Sequence, residues 1–339
     1  MAAEFHGESM AWLARRDGSV VLGHGPFEAR ATPPPQGVAF YVRTFSGDAG
    51  LPWNIPAKAQ RLDAEEFAQR APLAQSLRVH WEPPDAGPFA EVFQEVIAAI
   101  RVGSFEKTVP VVVEHGVAED DAGVAIMGAM MRRTAPLCSY GRVEGRRGFA
   151  GATPELLVSL DGSRLETMAL AGTARVDDRA VFAVDEKEIR EHEYVAQTLV
   201  SKLLELGDLT RRPRGILDLG SIVHFLTLIG VDLREPRTPD ELVRRLHPTP
   251  ALGPLPRTTE TLGMLHAWRA RLGCPEEFGA PFGVWENGRF DAVVAIRGIW
   301  WEGRNLRLPA GCGIIEASRL VNEWRELRLK RDAVKRFLQ

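Results

Sequence analysis

The sequence predicts an α+β layered fold held in one domain, and three observations predict it. Short β-rich runs bounded by Gly and Pro recur from one end of the chain to the other. Long amphipathic helical stretches stand among them without the regular strand–helix alternation of a parallel sheet. The 339 residues are 45% hydrophobic, enough for a large core, and no repeat, low-complexity tract or clear linker divides them.

Taken in order, residues 10–50 contain the apolar runs 19–23 and 38–42, which read as strands separated by turns such as Thr32-Pro33-Pro34-Pro35. Residues 50–84 are rich in Pro and Ala and read as a loop with a short helix. After Pro88 the residues Phe89, Val92, Phe93, Val96, Ile97 and Ile100 follow the spacing of one buried helical face, which stops at Gly103. A strand is expected over 108–113, then at 147–151, 156–160 and 164–170, with Asp161-Gly162 as a hairpin turn between the last two. A helix is expected over 184–206, with Val195, Leu199, Val200 and Leu203 on its apolar side. Strands at 291–300 and 304–308 then precede a closing helix over 320–338.

Composition excludes several classes of function. A net charge of −3 without a basic stripe leaves no footprint for nucleic acid. Cys138, Cys274 and Cys312 are odd in number, widely spaced and free of any CxxC pair, so they read as reduced thiols rather than a disulfide framework or zinc site. No apolar run approaches the length of a membrane span, and residues 1–23 lack the pattern of a signal peptide. A cytoplasmic protein with no membrane partner is expected.

Two acidic helical segments carry the functional signal. In 185–192 the carboxylates of Glu188 and Glu191 stand three residues apart, and in 322–330 so do those of Glu323 and Glu326. Each pair therefore shares a helical face. Two such faces brought together would offer oxygen ligands of the kind Mg²⁺ prefers when it also takes an anionic substrate. Alone, either segment reads as a solvated face laced with ion pairs. Their company changes the reading. In order come Gly103-Ser104-Phe105-Glu106-Lys107-Thr108-Val109, Gly151-Ala152-Thr153-Pro154-Glu155, Leu170-Ala171-Gly172-Thr173-Ala174-Arg175, the first acidic segment and Leu246-His247-Pro248-Thr249-Pro250-Ala251-Leu252. Ala295-Ile296-Arg297, Ala310-Gly311-Cys312-Gly313 and the second acidic segment complete the set.

This ordered set, spanning roughly residues 88–338, resembles the chorismate-binding enzymes: isochorismate synthases, the large subunits of anthranilate and aminodeoxychorismate synthases, and salicylate synthases. The resemblance implies a single large layered α/β sandwich over residues 1–339, with the N-terminal strands of 1–87 built into the same fold. It implies chorismate, a small dianion, as substrate and Mg²⁺ as cofactor. Glu191 and Glu326 would face the metal, with Glu188 and Glu323 as further ligands or as their supports. Arg297 would clamp the pyruvyl carboxylate, and Gly311 and Gly313 would let backbone N–H groups approach the same group. Lys330 either contacts that carboxylate or pairs with Glu326, four residues before it. Ala171, Gly172 and Thr173 would shape the ring site, together with Ala251, Leu252 and Phe278. His247 either joins them or is a buried histidine satisfied by a backbone group, and His224 reads as structural.

For the chemistry, the resemblance makes Lys107 and Glu155 the base and the acid. A buried lysine among other cations can be driven towards the neutral amine that takes a proton from water. A glutamate in an apolar pocket can stay protonated and supply a proton to a departing hydroxyl. A lysine at this position resembles the water-using branch, and His247–Leu252 together with Phe278 resembles isochorismate synthases. The expected reaction is Mg²⁺-dependent conversion of chorismate to isochorismate, with water added at C2 and the C4 hydroxyl lost. No glutamine amidotransferase partner is expected, and the protein is expected as a monomer or homodimer. A salicylate synthase and a divergent chorismate-binding protein with weak or no catalysis are the alternative readings. Pro110, Val112, Pro254 and Leu327 depart from the family pattern.

Overall fold

The computed structural model describes residues 9–47, 50–72 and 77–339. Among these, 17 strands join in one antiparallel ladder, and the path through it explains where the site lies. The ladder runs from Ile222–Leu233 through Arg164–Arg175, Leu156–Asp161, Arg289–Val294 and Pro281–Glu286 to the early strands Val38–Val42, Trp53–Asp63, Ser19–Arg30 and Met10–Ala14. It continues through Cys138–Glu144, Arg147–Thr153, Gly298–Glu302 and Asn305–Gly311 to Val111–Ala118 and Val79–Glu82. The N-terminal strands thus sit in the middle of the ladder, between two sets of later strands. All five residues of Met10–Ala14 are buried, because both faces of this central strand are covered. Ala11 and Leu13 enter the main core, whereas Met10, Trp12 and Ala14 enter a second core with Phe67, Ile126, Met127 and Met130.

Several expectations need correction. Within 50–84 the expected short helix is present as Ala64–Arg70, but in place of the expected loop it follows an eleven-residue strand, Trp53–Asp63, and the strand Val79–Glu82 comes later. Pro56 escapes the usual ban on proline in a ladder because it faces Phe27 just past a register shift. The strand expected at 108–113 begins only at Val111, after Pro110, while Lys107 and Thr108 make isolated bridges. The strand expected at 291–300 is broken into Arg289–Val294 and Gly298–Glu302.

That break positions the site. The chain segments 147–161 and 289–302 run antiparallel beside each other, and both kink midway, at Pro154-Glu155 and at Ala295-Ile296-Arg297. Proline interrupts one strand, and Arg297 takes a left-handed φ of 57° in the other. Backbone bonds from Ala152 to Arg297 and from Val294 to Glu155, each 3.1 Å, bridge the gap.

Three helices frame this kink or close the core beside it. Ala86–Arg101 buries Phe89, Val92, Phe93, Val96 and Ala99. Glu186–Leu203 starts where the Asp185 carboxylate accepts from the Glu188 N–H, and it buries Glu191 and His192 in line with Val195, Leu199 and Leu203. Leu320–Lys335 buries Glu323, Leu327, Arg331 and Val334 on one stripe. Both acidic helices therefore turn carboxylates inward, against the usual preference of charge for the surface.

Candidate active site

A cavity lies at the kink. Its wall includes Glu155, Ala171, Gly172, Thr173, Glu191, Ala251, Leu252, Phe278, Arg297, Gly311, Gly313 and Lys330. Twelve residues picked from sequence motifs thus meet on one surface, although the chain separates the first from the last by more than half its length.

Each is placed by a local device. The strand Arg164–Arg175 loses register with Ile222–Leu233 between Ala171 and Ala174. Gly172 takes φ 76° there, which a side chain would resist, and the Thr173 N–H is left free to donate to Glu188 Oε2 at 2.8 Å. Arg297 is buried, with Nη2 at 2.8 Å from His224 Nε2. His224 Nδ1 lies 2.7 Å from the Gly172 carbonyl, which can only accept, so Nδ1 carries the proton and Nε2 accepts from Arg297. Burial, reinforced by Arg297, holds His224 well below its usual range and keeps it in that neutral form. Burial also pushes Arg297 down to about 10, which leaves it a cation at neutral pH.

Glu155 is buried on the same wall. Burial pushes its carboxyl up to about 7, against the pull of Lys107, Lys330 and Arg297 and a hydrogen bond with Thr249. Near neutral pH it can therefore hold a proton to give.

The acids form the other end. Glu188, Glu191 and Glu323 converge on the Lys187 ammonium, at 2.8, 3.2 and 3.4 Å. Glu326 pairs with Lys330 at 2.6 Å, and Lys330 also donates to the Gly311 carbonyl at 2.9 Å. Burial and the neighbouring carboxylates push Glu188 and Glu323 up to about 7. Burial would raise Glu191 too, but Lys107, Lys187 and Lys330 outweigh it and hold it at about 2. The same four acids raise Lys187 above the ordinary lysine value despite its burial. The cluster stands between the cavity and a wider outer groove, lined by Lys187, Glu188, Glu323 and Glu326.

Three expectations change in detail. Lys107 is fully buried but stands behind the cavity wall, and its neighbour is a carboxylate, Glu191 Oε1 at 3.0 Å, rather than other cations alone. Gly313 lines the cavity, but the space a side chain would need is filled by Glu191 Oε1, 2.1 Å from an added Cβ, and by Lys107 Cε at 2.7 Å. Its bareness admits the Lys107–Glu191 pair. His247 is not on the wall: Nε2 bonds the Phe45 carbonyl at 2.9 Å, and burial pulls it down to about 3. It fixes the loop that delivers Ala251 and Leu252.

Two residues escaped the sequence reading. Lys187 sat inside a charge run, and its i,i+4 relation to Glu191 was the available signal. His224 read as structural because the residues it bridges, Gly172 and Arg297, are far from it in sequence.

Comparison with known proteins bears on this geometry. A family model described as chorismate binding enzyme matches residues 52–339. The chain belongs to the chorismate binding enzymes. It is 33% identical over 202 residues to the isochorismate synthase MenF of Bacillus subtilis, covering 54% of this chain and 40% of that protein. It is 32% identical over 193 residues to the isochorismate synthase EntC of Escherichia coli, covering 53% and 48%. These matches span about half the length of the curated relatives or less. The structure of the menaquinone-specific isochorismate synthase MenF from Escherichia coli superposes with a TM-score of 0.82 at 20% identity, over 100% of this chain and 90% of that one. At that identity the likeness establishes the fold. It is the layered arrangement of strands and helices expected for the family. Among the described residues no helix is long and apolar enough to cross a membrane.

The donor set suits a hard divalent cation. Carboxylates from two helices face one another, Glu323 Oε2 is buried without a hydrogen-bond partner, and a cation, the Lys187 ammonium, already occupies their midst. Among the described residues no three acids, histidines or cysteines are arranged as a ready ion site.

Proposed function

We propose that the protein converts chorismate to isochorismate with Mg²⁺, needing no glutamine amidotransferase, as a monomer or homodimer in the cytoplasm. The observation that carries this reading is Glu155: a buried carboxyl held near neutrality on a wall shared with the cations Arg297 and Lys330. A dianionic substrate is drawn to Arg297 and Lys330, and its leaving hydroxyl meets an acid that still holds its proton.

In the reaction a water oxygen bonds to C2 while the C4–O bond breaks and the ring double bonds shift between them. Glu155 gives its proton to the departing hydroxyl, which leaves as water. Lys107, as the neutral amine, takes the proton of the attacking water, and Glu191 Oε1, 3.0 Å from its nitrogen, accepts a hydrogen bond from the ammonium that results. His224 accepts from the Arg297 guanidinium and so positions it on the cavity wall, where it would orient the substrate. A divalent cation held by Glu191 and Glu326, with Glu188 and Glu323 beside them, would supply positive charge against the ring carboxylate.

The purified protein is incubated with chorismate and Mg²⁺, and products are identified by mass and fluorescence. Isochorismate as the released product supports the reading. Salicylate would move the protein to the pyruvate-eliminating branch, and binding without product would leave a chorismate binder. Undiminished turnover with excess chelator would remove the metal from the mechanism.

A further inference from the structure

Away from the active site, a recess on the outer surface is lined by Lys202, Arg237, Arg244, Arg245 and Arg257, with Glu241 the one acid on its wall. Glu241 is already committed, since its carboxylate accepts from the Thr238 N–H at 2.9 Å in a helix capping box. Arg245 pairs with Glu205 at 2.5 Å, and Arg237 reaches the exposed Glu235 at 3.3 Å. Among the described residues no carboxylate lies within ion-pair distance of Lys202, Arg244 or Arg257. Arg237 Nε is buried and has no partner at all. Burial, with Arg257 and Arg245 close by, pushes the Lys202 amine down to about 7. So many cations with so few anions repel one another, and guanidinium forks among them match oxyanions.

The recess backs directly onto the active-site loop. Arg257 donates from Nη1 to the His247 carbonyl at 2.5 Å and from Nη2 to the Arg244 carbonyl at 3.2 Å. It thereby ties the end of the helix Pro239–Leu246 to the segment that delivers Ala251 and Leu252 to the cavity. Further along, the Leu255 N–H donates to the Lys107 carbonyl at 2.7 Å.

We infer that this recess binds a small multivalent oxyanion, phosphate-bearing or polycarboxylate, and that its occupancy steadies the loop 247–257 behind the active site. An anion seated among Lys202, Arg237 and Arg245 neutralises the repulsion around Arg257, so the guanidinium keeps its two carbonyl bonds more of the time.

The test uses the whole chain without divalent cations, so it does not depend on the proposed reaction or its metal. Calorimetric titration is run with pyrophosphate in one arm and citrate in the other, at ionic strength held constant with sodium chloride. Saturable binding is expected, weakened roughly tenfold or more in the double variant Lys202→Gln/Arg237→Gln, whose fold is checked by circular dichroism. Binding by pyrophosphate alone assigns a phosphate ligand, by citrate alone a polycarboxylate, and by both the shared chemistry. No saturable heat from either probe, or binding undiminished in the double variant, overturns the site. Hydrogen exchange read in the same samples is expected to slow at the amides of Ala251, Leu252, Gly253 and Leu255, and unchanged exchange overturns the link to the loop.

Discussion

Replacing Glu155 by glutamine probes the feature on which the proposed chemistry turns. The change keeps size and hydrogen-bonding capacity but removes the ionisable proton. Burial raises this carboxyl from 4.5 to about 7. That difference corresponds to roughly 3 kcal/mol between the protonated and ionised forms. Since the folded-state value is raised, the carboxyl's contribution to folding is full below about 4.5 and is lost as pH rises through about 7. Glutamine has no such dependence. Subtracting the wild-type unfolding free energy from that of Glu155→Gln at each pH should therefore give a difference that climbs by about 3 kcal/mol between pH 4.5 and 8, in favour of the variant. Urea unfolding at a series of pH values measures it. In parallel, turnover of chorismate should fall about 10²–10⁴-fold, the usual scale for removing a general acid, while calorimetric affinity for chorismate is retained. Wild-type rates should also decline above pH about 7 as the acid form is lost. A flat stability difference across this range would refute the burial argument. Unchanged turnover would take Glu155 out of the reaction.

Three further outcomes are expected. Lys187→Met removes the ammonium from among Glu188, Glu191 and Glu323 and should cost about 3 kcal/mol at pH 8, where those acids ionise, and less at pH 5, where Glu188 and Glu323 hold protons. Urea midpoints with no such pH trend would contradict the picture of a cluster held by one cation. Gly313→Ala puts a methyl 2.1 Å from Glu191 Oε1, so the Lys107–Glu191 pair must move and turnover should drop roughly 10²-fold, an effect steady-state kinetics would reveal or deny. His224→Leu frees the Arg297 guanidinium from its positioning bond, and KM for chorismate should rise more than kcat falls; the reverse split would give His224 a different part.

Much of the site was legible because its residues sit in short segments whose chemistry is local. Glu188 and Glu191, or Glu323 and Glu326, share a face by helical spacing alone, and the left-handed turn beside the cavity falls on a glycine, Gly172. What stayed hidden depends on long-range contact. The link from His224 to Gly172 and Arg297 spans two strands, and nothing local signals it. His247 looked equally fit for the cavity and for the core, and only its bond to Phe45, some two hundred residues earlier, decides between them. The strand Trp53–Asp63 was missed because Pro56 and the exposed residues 57–59 mask its period, although pairing with Ser19–Arg30 along its length holds it extended. The break at 295–297 was invisible in an uninterrupted β-prone run, since it comes from one left-handed residue rather than from glycine or proline.

The doubly kinked strand pair acts as a fixed gauge between acid and guanidinium. Glu155 and Arg297 leave neighbouring strands at facing interruptions, with ladder pairing on either side. The separation of their backbones is therefore set by register, which changes only in whole-residue steps, and the two side chains reach the cavity from those fixed points. Substitutions along these strands that keep the pairing would leave proton donor and substrate anchor in step. Ala251 and Leu252, on the same cavity, belong to a loop outside the ladder. New substrate preferences should arise more readily by altering Ala251 or Leu252 than by adjusting either residue of the gauge.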